Sequence, residues 1–222
     1  MKYFEFVCTR NEGRSPVAEF IAQWYLEKKG LSKEYGAKSS GSHRLHISPN
    51  EIQSSSEGDV PFEFMEKLIR LAIEQNAFQN ATEIEKDLSE KNTEILKPYF
   101  REANRFFKMQ ERHFRSDAIA RLVEEKNLSG YLKAHSDQTE AHPDVIAIFG
   151  MSETNTKKIQ EIYSTSEFKP IIATLGVYAT GDESAELPNA FAKGSVFYQD
   201  VIDQLFEIIP EAIDKYIKVK PE

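Results

Sequence analysis

The sequence is poorest in cysteine, with a single one in 222 residues. That excludes an internal disulfide and any multi-cysteine zinc or iron–sulfur site, and it suits a reducing compartment. An excess of basic charge is also missing. Lys and Arg total 28 against 36 Asp and Glu, a formal net charge of -8. This is the wrong sign for tracking a phosphate backbone, so no nucleic-acid partner is expected. No uncharged stretch approaches the roughly 20 apolar residues that cross a bilayer, and the opening MKYFEFVCTR meets a charge before any long apolar run. It does not read as a signal peptide, and the expectation is a soluble cytoplasmic protein without a membrane partner. Neither repeats nor low-complexity tracts are found. What remains, 40% hydrophobic and 29% charged, is ample for a folded core.

Along the chain, Tyr3 to Val7 is a β-prone run followed by the polar, glycine-containing CTRNEGRSP. A helix should begin there, with Ser15 as N-cap and Pro16 at its first position, and with Val17, Phe20, Ile21, Trp24, Tyr25 and Leu26 on one face up to Gly30. YGAKSSGSH reads as a short strand or turn. From about Phe62 to Leu128 the pattern is helical and highly charged, apolar residues recurring three and four apart, with Ser116 and Asp117 as a cap for the last helix. VIAIF and PIIATLGVY are then strands, and a final helix covers about Val196 to Tyr216.

Strands alternating with helices at both ends of the chain call for a parallel sheet covered on both faces. The expected fold is a three-layer α/β/α domain on a four-stranded parallel sheet, with core segments 1–56 and 136–222 and a helical insertion at about 57–135.

Cys8 ends the first strand and Arg14 stands six residues later, directly before the helix start. In an open parallel sheet, ligands lie beyond the carboxyl ends of the strands. A loop of this length, Thr9, Arg10, Asn11, Glu12 and Gly13, can curl its N–H groups around a tetrahedral oxyanion. Sulfur at the bottom of that cradle would be held as a nucleophilic thiolate, and Arg14 would grip two equatorial oxygens as a fork. The implied reaction is phosphoryl transfer to sulfur and then to water. The plainer alternative for Cys8 is a small buried hydrophobe at a strand end. Arg10 and Glu12 would help choose the substrate, or be solvated charges. The five histidines have no metal-ligand spacing, and neither metal nor cofactor is expected.

At these residues the sequence resembles the low-molecular-weight protein tyrosine phosphatase family, to which some arsenate reductases also belong. VCTRNEGRSPVAE is similar to the family's phosphate-binding loop, SSGS to the segment supporting it, and IAIFGMSETNTKKI to a later strand and helix start. The resemblance implies Cys8 as nucleophile, Arg14 as phosphate clamp, Ser15 as the hydroxyl assisting the thiolate, and Ser40 as the hydrogen-bond partner of Asn11. Gly13 stands where many members carry a second cysteine. Where the family has Asp-Pro-aromatic, the Asp serving as general acid, this chain has Asn189, Ala190 and Phe191. Asn189 has no proton to give, and Asp182, Glu183 or Glu186 of the same loop, or a carboxylate from the helical insertion, would have to substitute, Asp182 being slightly preferred. Phe191 would stack on an aryl phosphate or act as a core staple.

The expectation is therefore a phosphatase acting on a phosphorylated protein or small aryl phosphate. Two alternatives remain: a weak or inactive phosphate-recognition module, and an arsenate reductase using an external thiol. The helical insertion is expected to be a solvated cover or a docking surface for a protein partner.

Overall fold

A computed structural model describes residues 1–11, 13–42, 60, 62–126 and 138–219. Four parallel strands, β1 (Lys2–Cys8), β2 (Tyr35–Gly41), β3 (Val145–Gly150) and β4 (Ile171–Thr174), form one sheet in the order β2-β1-β3-β4. The helices of this part are α1 (Arg14–Lys28), α5 (Glu153–Ser164), α6 (Leu175–Thr180) and α7 (Ser195–Val219). Three more precede α5: α2 (Phe62–Glu74), α3 (Ala81–Ser89) and α4 (Thr93–Lys126).

The chain divides into two compact units. One comprises Met1–Leu45, Phe114–Ala190 and Ser195–Glu222, the other His46–His113 and Phe191–Gly194.

In the α/β unit, side chains of β1 alternate between the sheet's faces. Phe4 and Phe6 pack with Val17, Phe20, Ile21, Val201, Leu205 and Ile209 of α1 and α7. Val7 packs with Ile148, Ile159 and Tyr163 on the α5 side. The sheet is thus covered on both faces, the expected three layers. β1 is central: the chain leaves it through α1 to β2 on one side and later returns to β3 on the other. That reversal opens a crevice beyond the carboxyl ends of β1 and β3, and Cys8 is the last residue of β1.

The second unit is helical. Leu68, Ile69 and Ala72 of α2, Ile84 and Leu88 of α3, and Leu96, Ala103 and Phe107 of α4 make its core. Tyr99 donates its hydroxyl to Asp87 at 2.9 Å, tying α4 to α3.

Three local expectations are corrected. The run read as the strand PIIATLGVY splits, because β4 ends at Thr174 and LGVYAT forms α6. Gly176 explains the change of direction: a Cβ there would collide with the carbonyl of Ala185. Ser116 and Asp117 do not start a helix, since α4 runs unbroken through them for 34 residues. Neither glycine nor proline interrupts it after Pro98, and a serine or aspartate inside a helix costs only a few tenths of a kcal/mol, about 0.5. Ser15 is not an N-cap either: α1 begins at Arg14, with Gly13 at the cap position and no side-chain cap bond. Its hydroxyl is used elsewhere. Among the described residues, no helix is long and apolar enough to cross a membrane, and no group of three metal-ligating side chains comes together.

Candidate active site

Cys8, only 5% exposed, sits at the end of β1 where the chain turns toward α1. Ser15 donates its hydroxyl toward the Cys8 sulfur, Oγ to Sγ 3.0 Å, and lies 2.9 Å from Asn11 Oδ1 and 3.4 Å from the Ser40 carbonyl oxygen. This bonding explains why Ser15 cannot cap α1. Asn11 closes the turn in the left-handed region, φ 54°, where asparagine is among the few tolerated side chains. Its Nδ2 donates to the Ser39 carbonyl at 3.3 Å. Gly13 is buried at the start of α1, Thr9 is exposed and Arg10 half-buried. Glu12 lies outside the described residues.

Ser40 departs from the expected pairing. Its hydroxyl does not serve Asn11 but donates to Glu5 Oε1 at 2.5 Å and lies 2.8 Å from Thr139 Oγ1. The physical reason is Glu5, a carboxyl 2% exposed in the middle of β1 that must be hydrogen-bonded to be buried at all. Lys38, its cross-strand neighbour, adds an ion pair at 3.4 Å. Burial pushes the Glu5 carboxyl above its ordinary range, against the opposing pull of Lys38 and Ser40. The same burial, with the Glu5 charge behind it, pushes the Tyr163 phenol up to about 12.

Arg14, 7% exposed, donates Nη1 to the Leu187 carbonyl at 2.7 Å and, at 3.5 Å, to that of Pro188. The loop after α6 is therefore anchored on the same guanidinium that stands at the end of the Cys8 loop. Asn189, the next residue, is exposed.

Asp182 does not fill the role expected of it. Its carboxylate accepts from the Ser184 backbone N–H at 2.9 Å and hydroxyl at 2.8 Å. These bonds hold it below the ordinary carboxylate range, the wrong direction for a proton donor. Glu186 is occupied too, accepting from the Glu153 N–H at the start of α5 at 2.5 Å. Phe191 follows the second of its two expected readings, a core staple rather than an aryl stack. It belongs to the helical unit, where its ring lies 6.0 Å from that of Phe107, so it serves that core.

Sequence reasoning missed two supports. Asn155, buried near the start of α5, donates Nδ2 to Ser42 Oγ at 3.1 Å and Thr9 Oγ1 at 3.5 Å. The Ser-Glu-Thr-Asn spacing that makes Ser152 the helix cap was a legible signal for it. Gly41 is the other: a Cβ there would stand 3.0 Å from the Arg10 carbonyl carbon, so a side chain would press the loop off the end of β2.

This geometry agrees with the comparisons to known proteins. Residues 4–63 match the model of the family described as low molecular weight phosphotyrosine protein phosphatase. No curated protein sequence matches the chain. Among solved structures, the fold is similar to that of YfkJ from Bacillus subtilis, at 17% identity and a TM-score of 0.53, covering 100% of this chain and 98% of that one. A YwlE mutant from the same organism matches at 16% identity and a TM-score of 0.56, over 98% and 99% of the two chains. The low molecular weight phosphotyrosine phosphatase VcLMWPTP-2 from Vibrio cholerae O395 matches at 15% identity and a TM-score of 0.54, over 99% and 98%. The resemblance read from the opening loop thus extends to the fold.

Proposed function

We propose that this chain is a cysteine-dependent phosphatase, hydrolysing phosphotyrosine or a related phosphomonoester through a phosphocysteine intermediate. Cys8 attacks phosphorus. Arg14 and the loop amides hold the phosphoryl oxygens, a guanidinium offering five donors in a planar fork. Asn11, Asn155 and Gly41 keep the loop in shape, so that its dipoles need not reorganise as charge builds. Water then attacks phosphorus and the thiolate leaves, assisted by the Ser15 hydroxyl. The observation that carries this reading is the 3.0 Å contact from Ser15 Oγ to Cys8 Sγ. A hydroxyl aimed at sulfur on a buried helix start has a clear use if that sulfur must leave as an anion.

The match to the phosphatase family model over residues 4–63 and the name carried by VcLMWPTP-2 support the same reading. A protein partner on the helical unit and a cytoplasmic location accord with it.

A second reading is a phosphate-recognition module that holds phosphorylated partners without turning them over. The observation favouring it is that position 189 carries an amide and that Asp182 is tied to Ser184.

Turnover of para-nitrophenyl phosphate, with acid trapping of a phosphoryl group on Cys8, tests both readings. The expected result is turnover and a trapped phosphocysteine in wild type, neither in Cys8→Ser, and vanadate binding in both. Vanadate bound without turnover would establish the recognition module, and failure of wild type to bind or react would end the phosphate-site assignment.

A further inference from the structure

The loop from Gly181 to Ala190 is the element that Arg14 holds, through Leu187 and Pro188. It contains three carboxyl groups, Asp182, Glu183 and Glu186. Asp182 is committed to Ser184, and Glu186 to the first N–H of α5. Glu183 sits at the tip of the turn that the Ala185 N–H closes on the Asp182 carbonyl at 3.0 Å, and it is exposed. Only residue 189 directly follows the two carbonyls on Arg14, and it is asparagine. The loop is thus shaped and anchored, with two of its carboxyls, Asp182 and Glu186, bonded to groups of their own and Glu183 left in solvent.

We infer that this site, taken as the phosphatase proposed above, transfers phosphoryl groups without a proton from the loop of residues 181–190, and that its substrates are acyl phosphates, the mixed anhydrides of a carboxylic acid and phosphate. The reason is leaving-group acidity. A carboxylate departs from a group whose conjugate acid has a pKa near ~4, while a tyrosyl oxygen needs a proton to leave easily because its conjugate acid lies near ~10. A general acid supplies about 10²- to 10⁴-fold for the second kind and almost nothing for the first. In the first step the Cys8 sulfur forms a bond to phosphorus as the bond from phosphorus to the acyl oxygen breaks, and the electron pair leaves on the carboxylate. In the second, water attacks phosphorus and the sulfur–phosphorus bond breaks. The thiolate returns to the Ser15 hydroxyl, and the proton lost by water passes to bulk solvent.

The experiment is a series of aryl phosphates of graded leaving-group acidity, with acetyl phosphate as the acyl member, run on wild type, Asn189→Asp and Glu183→Gln. For wild type, kcat/KM is expected to fall by at least about 100-fold from para-nitrophenyl to phenyl phosphate. Asn189→Asp is expected to raise phenyl phosphate turnover by a comparable factor and leave acetyl phosphate within about threefold. Glu183→Gln should change neither. A flat dependence in wild type would overturn the inference while leaving the phosphatase standing, as would a Glu183→Gln loss confined to phenyl phosphate. Were Asn189→Asp to misfold, the wild-type series would still decide. No turnover of any member, acetyl phosphate included, removes both.

Discussion

Two loops meet at Arg14 and are built in opposite ways. The loop after Cys8 is bonded inward at its described residues: Asn11 and Ser15 bond to each other, Ser15 to the Cys8 sulfur, and Asn155 reaches Thr9. In the loop of residues 181–190, Asp182 turns to Ser184 and Glu186 to the start of α5, while the carbonyls of Leu187 and Pro188 receive Arg14. On the proposed function, the difference separates holding an anion from donating a proton. Holding depends on many groups in one shape, and proton donation on a single carboxyl at a single position. On that reading, Asn189 stands where the second would need a carboxyl.

The largest expected effect comes from Arg14, where the two loops join. Arg14→Lys keeps the charge but loses the fork, and by analogy with removing one preorganised donor it should lower kcat by about 10²- to 10³-fold. Steady-state kinetics on para-nitrophenyl phosphate measures it. If the variant keeps wild-type rates, the guanidinium is only a clasp for Leu187.

A smaller effect isolates the first loop. Ser15→Ala removes a hydrogen bond to the sulfur that, on the proposed mechanism, leaves as an anion, worth about 1.5–3 kcal/mol, or roughly 10- to 150-fold. The loss should fall on breakdown of the intermediate, so that phosphocysteine accumulates in acid-quenched samples. Equal levels of phosphocysteine in variant and wild type would assign Ser15 to packing alone.

The smallest effect contrasts carboxyl groups. Asp182 is held below its ordinary range by Ser184 and Glu5 is raised above its own by burial. Because the folded protein binds the Glu5 proton more tightly than the unfolded chain, this group's stabilising contribution is complete below 4.5 and is lost as pH rises through the raised value. Glu5→Gln should therefore gain stability relative to wild type as pH increases from about 4 to about 8. Urea melts across that range read the change, and parallel curves would mean that Lys38 and Ser40 compensate the burial fully.

Much of this was legible in one dimension. The β-prone Tyr3–Val7, the loop to Arg14 and the apolar spacing of α1 declare a strand, a polar crossing and a helix, because period-two and period-3.6 patterns are local properties. The helical character of residues 62–126 was equally plain. Boundaries set by distant groups were not. Ser15 carries every local mark of an N-cap, yet its hydroxyl is drawn to a sulfur seven positions earlier. LGVY has the composition of a strand and folds as a helix, its glycine lying against the Ala185 carbonyl. Asp182 looked available because a sequence does not display a bond to its own neighbour at 184 as a commitment.

The sequence by itself determined the order of strands and helices, the single sulfur with an arginine six places on, and the amide at position 189, all properties of adjacent residues or of composition. Tertiary structure decided which hydroxyl faces that sulfur, which carbonyls receive Arg14 and which carboxyl is buried beneath Ser40. Those depend on groups 7 to 173 positions apart in the chain, brought within hydrogen-bonding distance only when the sheet and its covering helices close.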